Sequence, residues 1–467
     1  MQIPFVGGSN VARSQSASEQ RTVNLYLEMN DASPRAPLAL YGMPGLVTQY
    51  TFSTESVRGV VEMGGRTYWV AGNTVYCVNR AGAVTTLGTI ATTHGDVGIA
   101  QNGRQVAIVD GVAGWIATSA ALTLIADEDF PNGVKRVTSQ DGYFIFAGDG
   151  SGRFYINQTP RNGEVYTGAD FAEAEGSPDI AVTLISNNRV LWVLGTESIE
   201  FYENTGNPDF PFERSAFVEQ GCAAAASVAV MDSAVYWLGR SRNGQGIVFK
   251  GDGITPRRIS NHSLETTIAG YSRIDDARAF CFQINGHSFY VLTFPSEDHT
   301  WAYDESTGLW VEWLWRDPED NTLHRHRANC CVFTNGQHLV GDWAAGKVYA
   351  LDQAAYTDDG APIERMRITQ YPDFAGPLHY ANLELNMETG VGAVGTDPKV
   401  MVSYWDDRAQ RWSNEREKSI GSAGERGRRV RFAGSLGSGR NRIWRVRCTD
   451  PVKFALFGAT VDATKGK

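Results

Sequence analysis

The sequence predicts a mainly β protein: a six- or seven-bladed β-propeller with an N-terminal arm and a C-terminal β-sandwich-like domain. Three observations carry this. A strand–turn phrase returns at intervals of roughly forty residues, and repeats of that length built from short strands point to radially arranged sheets. Its clearest copies are Thr74-Val-Tyr-Cys-Val-Asn-Arg-Ala-Gly82, Trp301-Ala-Tyr-Asp-Glu-Ser-Thr-Gly-Leu-Trp310 and Lys347-Val-Tyr-Ala-Leu-Asp352, with looser copies starting at Ile199 and Ile247. The composition, with 50 Gly, 12 Trp, 18 Tyr and 21 Phe, suits many tight turns between aromatic-rich strands. Helix signals are nearly absent, and only Asp170 to Glu175 suggests a single turn.

Residues 1–57 read as an irregular N-terminal arm with one good strand, Val23-Asn-Leu-Tyr-Leu-Glu28. Pro34, Pro37 and Pro44 with Gly42 and Gly45 then interrupt regular structure. Such an arm packs along the domain edge or supplies the strand that closes a ring. Residues 58–354 form the propeller, with units beginning near Arg58, His94, Val134, Ala181, Ser227, Asp276 and Arg327, the first or last of them complete or partial. Runs such as Arg66-Thr-Tyr-Trp-Val70, Tyr143-Phe-Ile-Phe146 and Val235-Tyr-Trp-Leu238 are apolar on nearly every residue and read as inner strands buried on both faces. Hairpin turns precede them, among them Asn102-Gly103, Asp141-Gly142, Asn285-Gly286 and Asn335-Gly336. Residues 355–467 form a C-terminal β domain, where alternation in Ala381-Asn-Leu-Glu-Leu-Asn-Met387 and Lys399-Val-Met-Val-Ser-Tyr404 suggests a small sandwich.

With 467 residues, 42% hydrophobic and 20% charged, the chain has room for two or three domains and a large core. No run is apolar over the length of a spanning helix, so no membrane-spanning segment is expected. The N-terminus lacks the basic start and apolar middle of a secretory signal. Six dispersed cysteines read as reduced, buried thiols, and adjacent Cys330 and Cys331 point to opposite strand faces. The net charge of −10 is uneven: from Lys399 to Arg447 there are thirteen Lys or Arg against five Asp or Glu. An acidic body with a basic C-terminal portion is an asymmetry that concerns partners.

Motifs for catalysis are weak. Gly148-Asp-Gly-Ser-Gly152 has the composition of a phosphate loop but is followed by a strand-like run, so a hairpin turn is expected. His324 and His326, with His338 downstream, are the imidazoles that could bind zinc; no close carboxylate is evident, and the preceding charged loop predicts solvated histidines. Ser403 to Trp412 resembles the structural Asp-box hairpin of sialidases but lacks the glycine after the aspartate. No nucleophile elbow or catalytic Cys-His phrase stands out. The chain is not expected to be an enzyme, and no cofactor or metal is expected. The competing readings are a propeller glycosidase, which needs two convergent carboxyl groups, and a carbohydrate-binding module acting on host surface polysaccharide.

The basic strands are more specific. In Arg429-Val-Arg-Phe432 the two arginines share one strand face, and in Trp444-Arg-Val-Arg-Cys448 Arg445 and Arg447 lie opposite Trp444, Val446 and Cys448. Ladders of like charge want acidic partners. Arg429, Arg431, Arg445 and Arg447 are therefore the candidate partner interface. The alternatives are surface arginines paired locally, or contact with DNA phosphates; an acidic neighbouring subunit is favoured over DNA because the whole chain is acidic.

Several phrases together resemble the packaged-DNA stabilisation proteins of short-tailed bacteriophages, also called tail accessory, tail hub or nozzle proteins. These are Val23-Asn-Leu-Tyr-Leu-Glu28 with Met43-Pro-Gly-Leu46, Glu197-Ser-Ile-Glu-Phe-Tyr202, Glu219-Gln-Gly221, and Trp301-Ala-Tyr-Asp304 with Trp310. The ending, Arg442-Ile-Trp-Arg-Val-Arg-Cys448 followed by Pro451-Val-Lys-Phe-Ala-Leu-Phe-Gly458, is also similar. The resemblance implies a structural virion protein of the tail, made in the host cytoplasm. It implies a homo-oligomeric ring, a hexamer, below the portal and its head-to-tail adaptor. That ring would continue the DNA channel and help retain packaged genomic DNA, which passes without sequence-specific binding. It would also dock a tailspike or fibre and a tail needle or plug.

Overall fold

The structure is a computed structural model that describes residues 2–3, 5–11, 18–29, 37–174, 179–241, 243–369, 376–406, 411–434, 436–440 and 442–465. Pro34, Glu175 and the middle of the 403–412 hairpin lie outside the described residues.

Seven four-stranded antiparallel blades stand around one axis among the described residues, and in six of them the four strands follow one another along the chain. Blade 1 spans 57–89, blade 2 98–124, blade 3 136–173, blade 4 181–218, blade 5 229–258, blade 6 278–312 and blade 7 328–352. The first strands of successive blades touch one another in a closed ring, with the short turn Ala225–Ser227 completing it beside blade 5. This settles the blade count at seven. The tight hairpins joining first to second strands depend on left-handed backbone, as at Asp141 and Gly142 (φ 52° and 91°) and at Asn285 and Gly286 (φ 51° and 81°). Positive φ at both central residues matches the right-handed twist of the flanking strands.

The apolar runs that read as inner strands are the second strand of each blade; the strand nearest the axis is the one before. Arg66–Ala71 lies between Val57–Met63 and Thr74–Val78, and Ala234–Ser241 between Ala229–Met231 and Gly244–Asp252. Sheet neighbours on both sides and blades on both faces explain their uniform burial. Trp192 and Trp237, from blades 4 and 5, meet edge-to-face with centroids 5.9 Å apart. Such a pair adds about 0.5–1.5 kcal/mol beyond the area it buries.

Blade 7 takes its fourth strand from near the N-terminus: Gly45–Thr51 pairs antiparallel with Lys347–Asp352. The two ends of the propeller segment are thereby hydrogen-bonded to each other. A Cβ at Gly45 would lie 2.5 Å from the Thr357 carbonyl oxygen and 2.6 Å from that of Ala355. Gly45→Ala is therefore expected to push the closing strand off its seat and cost about 1–3 kcal/mol, read as a lowered urea midpoint with an unchanged slope.

The C-terminal domain is a two-sheet sandwich. One sheet has the order Leu25–Met29, Leu38–Gly42, Ala455–Lys465, Leu378–Met387, Val430–Ala433. The other runs Glu19–Val23, Arg365–Ile368, Arg442–Cys448, Lys399–Asp406, Arg416–Ser419. Between them lies a core that includes Phe5, Leu25, Leu40, Leu383, Val402, Trp444 and Leu456. Leu309–Glu312, the outer strand of blade 6, pairs parallel with Glu19–Val23, so this blade continues without a break into the second sandwich sheet.

The strand expected over residues 23–28 is split at Asn24, which has φ 55°. Its side chain donates to the carbonyls of Leu314 and Glu364 and accepts from the Leu314 N–H. That corner sends Glu19–Val23 into one sheet and Leu25–Met29 into the other. Residues 1–57 thus contribute strands to both sandwich sheets and to blade 7. Two other expectations need correction. Phe171–Glu173 is a short outer strand of blade 3, not a helical turn. A helix does occur at His262–Ala269, capped by the Asn261 side chain and burying Leu264 and Ile268 four residues apart.

Candidate functional site

Each candidate arginine sits where strand alternation puts it, but the four divide between two sheets. In Val430–Ala433, Val430 and Phe432 are buried while Arg431 faces solvent. This is the edge strand of its sheet. Arg431 reaches Asp462 at 3.2 Å, and Arg429, 80% exposed, stands 4.0 Å from Glu384. Exposed pairs of this kind hold about 0–1 kcal/mol each, so both guanidinium groups are cheap to recruit elsewhere.

Arg445 and Arg447 project from the outer face of the other sheet. Arg445 Nε donates to Ser403 Oγ at 3.0 Å, and its guanidinium lies 4.5 Å from the centre of the Trp412 ring. Arg447 donates to both oxygens of Glu415 and, through Nη1, to Glu364 at 3.2 Å. Glu364 in turn faces Arg316 of the hairpin Leu314–Arg316/Leu323–Arg325 at 3.5 Å. Burial would depress the Arg447 guanidinium, but Glu415 and Glu364 outweigh it and raise its proton affinity.

A second link lies beside this one. Glu312, at the end of blade 6, accepts from Arg21 Nε at 2.9 Å and from Ser9 Oγ at 3.3 Å, with His299 Nε2 at 3.4 Å. Burial alone would raise its carboxyl; Arg21 and His299 overcome that and hold it at about 2. These contacts form two neighbouring sets of paired charge, Glu415–Arg447–Glu364–Arg316 and Arg21–Glu312–His299. Their chemistry is positional: they fix the sandwich against the propeller.

Two buried arginines of the sandwich were not singled out from the sequence. Arg367 donates to the carbonyls of Phe5 and Gly8, to Thr22 Oγ1 and to Gln20 Oε1, tying down the N-terminal segment. Arg442 grips both oxygens of Asp406 at 2.7 Å and stacks within 4.2 Å of the Tyr380 and Tyr404 ring centres. Alternation contains this signal, since Arg442 shares the core face with Trp444 and Val446.

At one end of the propeller axis, Asp96 of the segment entering blade 2 accepts from Arg136 of blade 3 at 2.6 Å and faces Arg278 of blade 6 at 2.9 Å. Arg58 of blade 1 spends its donors on the carbonyls of Gly72, Thr92, His94 and Gly95. Burial works against the Asp96 charge, but Arg278 and Arg136 prevail and lower its pKa. Ion pairs joining blades 2, 3 and 6, with the Arg58 hydrogen bonds beside them, stiffen this hub.

The histidines differ from expectation. His326 is fully buried, stacked on Trp313 with centroids 3.8 Å apart, because the short link between Leu323–Arg325 and Ala328–Thr334 carries it between blades 6 and 7. His324 does have a carboxylate neighbour, Asp298, at Nδ1, while Nε2 meets Thr322 Oγ1 at 2.6 Å. Asp317, Asp320 and His324 form a cluster with metal-ligand potential, yet both ring nitrogens of His324 are already engaged. His338 is partly buried beside Phe333 and Cys331. All six cysteines are free thiols, and Gly148 to Gly152 is the turn between two strands of blade 3.

Comparison with known proteins gives two matches to families. The profile of the bacteriophage P22 Gp10 β-propeller matches residues 1–356, and that of the bacteriophage P22 Gp10 β-sandwich matches residues 364–464. No curated protein matches the chain. Among solved structures, a streptogramin B lyase is 12% identical, with 70% of this chain and 97% of that one covered and a TM-score of 0.38. The N-terminal domain of Nup159 is 8% identical, covering 71% and 98%, with a TM-score of 0.42. The extracellular domain of the one-component system BT4673 from B. thetaiotaomicron is 11% identical, covering 90% and 60%, with a TM-score of 0.43.

Proposed function

The chain belongs to the bacteriophage P22 Gp10 family through both its propeller and its sandwich, a family of phage tail and stabilisation proteins, and on that footing we propose that it is a wall subunit of a ring-shaped tail hub. In this reading several copies, six in the resemblance noted above, sit below the portal and its head-to-tail adaptor and continue the DNA channel. The ring helps retain packaged DNA and offers seats for a tailspike or fibre and for a needle or plug. The chain is made in the host cytoplasm and acts in the virion, without catalysis.

One observation carries the reading: the sheet of blade 6 runs on into the sandwich, and the joint is braced by Arg21–Glu312 and by Arg447 between Glu415 and Glu364. A subunit that must hold internal DNA pressure and transmit docking forces needs two domains that move as one body. The direct test is the mass of the purified chain alone and mixed with the adaptor, together with its presence in purified virions. A defined ring on the adaptor supports the proposal. A chain that stays monomeric in both mixtures and is absent from virions overturns it.

The four candidate arginines then take two roles, which substitutions separate. Arg429→Glu with Arg431→Glu is expected to leave the melting temperature within a degree or two of wild type while impairing incorporation into tails. Arg447→Glu, by contrast, places a third carboxylate beside Glu415 and Glu364 and is expected to cost about 2 kcal/mol or more. Thermal melting beside particle yield reads both.

A further inference from the structure

The charge asymmetry has a spatial form. The loops 390–397 and 420–429 are tied to one another by Gly390 N–H to Ile420 O at 2.8 Å and Ala423 N–H to Gly392 O at 2.9 Å. They make one tip of the sandwich. Residues 420–431 carry four arginines against one glutamate, and Arg426, Arg428 and Arg429 are exposed. Val394, on the partner loop, is 90% exposed. An exposed apolar residue and three exposed arginines thus share one pair of adjoining loops.

The opposite arrangement occurs on blades 2 and 3. Residues 126–134 and 162–173 hold Asp127, Glu128, Asp129, Glu164, Asp170 and Glu173 and no lysine or arginine. The two segments are packed together, since the Tyr166 N–H donates to Asp127 Oδ2 at 3.0 Å, and Phe130 and Tyr166 stack edge-to-face. Leu124, 54% exposed, and Val165, 38% exposed, are apolar residues open to solvent on the same two blades, and one cation, Arg153, pairs there with Glu173 at 3.6 Å.

Topology sets these surfaces at opposite poles. The sandwich grows from the outer edge of blade 6, and in a seven-membered ring the position across from blade 6 is the junction of blades 2 and 3. Arg416–Ser419, which leads into the tip, is the fifth strand beyond blade 6 in its sheet, about 24 Å out at about 4.8 Å per strand. Acid meeting acid, or base meeting base, would cost several kcal/mol. The favourable contact between copies is therefore head to tail, the kind that closes into a ring when its rotation divides a full turn.

We infer that the basic tip of one copy, which includes Val394, docks on the acidic outer edge of blades 2 and 3 of the next copy. This rests on the tail-hub reading and names the two surfaces through which its subunits meet. The contact is salt-sensitive, because exposed charges are screened beyond about 8 Å at physiological ionic strength.

The test uses the full chain in tail particles assembled in infected cells, with folding checked by melting. Arg426→Glu with Arg429→Glu, and separately Glu128→Arg with Asp129→Arg, are each expected to lower incorporation at least tenfold. The chain carrying all four changes is expected to recover it. As a second readout, Glu128→Cys with Arg429→Cys is expected to give disulfide-linked multimers in particles, and neither single variant is. Wild-type incorporation by both charge-reversed variants overturns the inference, as does failure of the fourfold variant to recover or of the cysteine pair to cross-link. In each of those cases the tail reading stands, because wild-type chain is still in the particles. Wild-type chain missing from particles defeats the tail reading itself and the contact with it.

Discussion

Replacing Glu312 with alanine is expected to destabilise the protein by about 3–5 kcal/mol, the usual loss when one partner of a buried charge pair is removed. Glu312 is only 2% exposed and joins three elements distant in sequence: Arg21 of the N-terminal strand, Ser9 and His299 of blade 6. Its loss leaves the Arg21 guanidinium, 34% exposed, without its carboxylate at the point where blade 6 passes into the sandwich. Glu312→Gln keeps the shape and some hydrogen bonds, so its effect is smaller. Because the carboxyl is held at about 2 in the fold against an ordinary 4.5, the unfolded chain binds the extra proton between those values. The stability Glu312 provides is complete above pH 4.5 and is lost as pH falls towards 2. Urea unfolding of wild type and variant should converge over that range. Parallel curves would show that the carboxylate is not the source.

His326 sets an earlier acid limit. Burial, helped by nearby Arg327, pushes the imidazole down from 6.5 to about 3, so it stays neutral in the fold while the unfolded chain takes up a proton. Stability from this group is fully present above pH 6.5 and falls as pH drops below it, continuing to about 3. Each unit is worth about 1.4 kcal/mol, so roughly 2–3 kcal/mol is lost between pH 6.5 and 4.5. His326→Phe preserves the stack on Trp313 and gives up one weak acceptor for the Ala328 N–H at 3.3 Å. Its stability should be about 1 kcal/mol lower at pH 7.5 and nearly flat from there to pH 5. A variant that keeps the wild-type slope would place the titration on another group.

The blades were legible because their signal is local. An apolar run, an Asn-Gly or Asp-Gly turn and another apolar run specify a hairpin whatever surrounds it, and seven such units could be marked. Which strand of a unit faces the axis was not legible, because the second strands are the more apolar ones and the first strands carry Arg58, Arg136 and Arg278 into the hub. The helix at His262–Ala269 had a readable cap in Asn261 and a readable pair in Leu264 and Ile268; its single short face was lost among strand patterns. His326 was misjudged from the charged loop before it, since depth depends on what packs over a residue and not on its neighbours in sequence.

The arginines mark the boundary most clearly. Alternation alone assigned Arg429 and Arg431 to one outward face and Arg445 and Arg447 to another, because side chains on a strand repeat every two residues. Taken by itself, the sequence determined the fold class, the repeat, the charge asymmetry and the face on which each arginine stands. Only the tertiary structure decided their partners: Glu415 and Glu364 for Arg447, Asp462 for Arg431, and open solvent around much of Arg429. The reason is physical. A strand's own pattern fixes which side of a sheet a residue occupies, but the charges that meet it there arrive from other elements, 31 residues away for Arg431 and 83 for the Glu364 contact of Arg447. Their arrival is set by chain topology: here by the sheet orders that lay Ala455–Lys465 and Val430–Ala433 on either side of Leu378–Met387, and Arg442–Cys448 between Arg365–Ile368 and Lys399–Asp406.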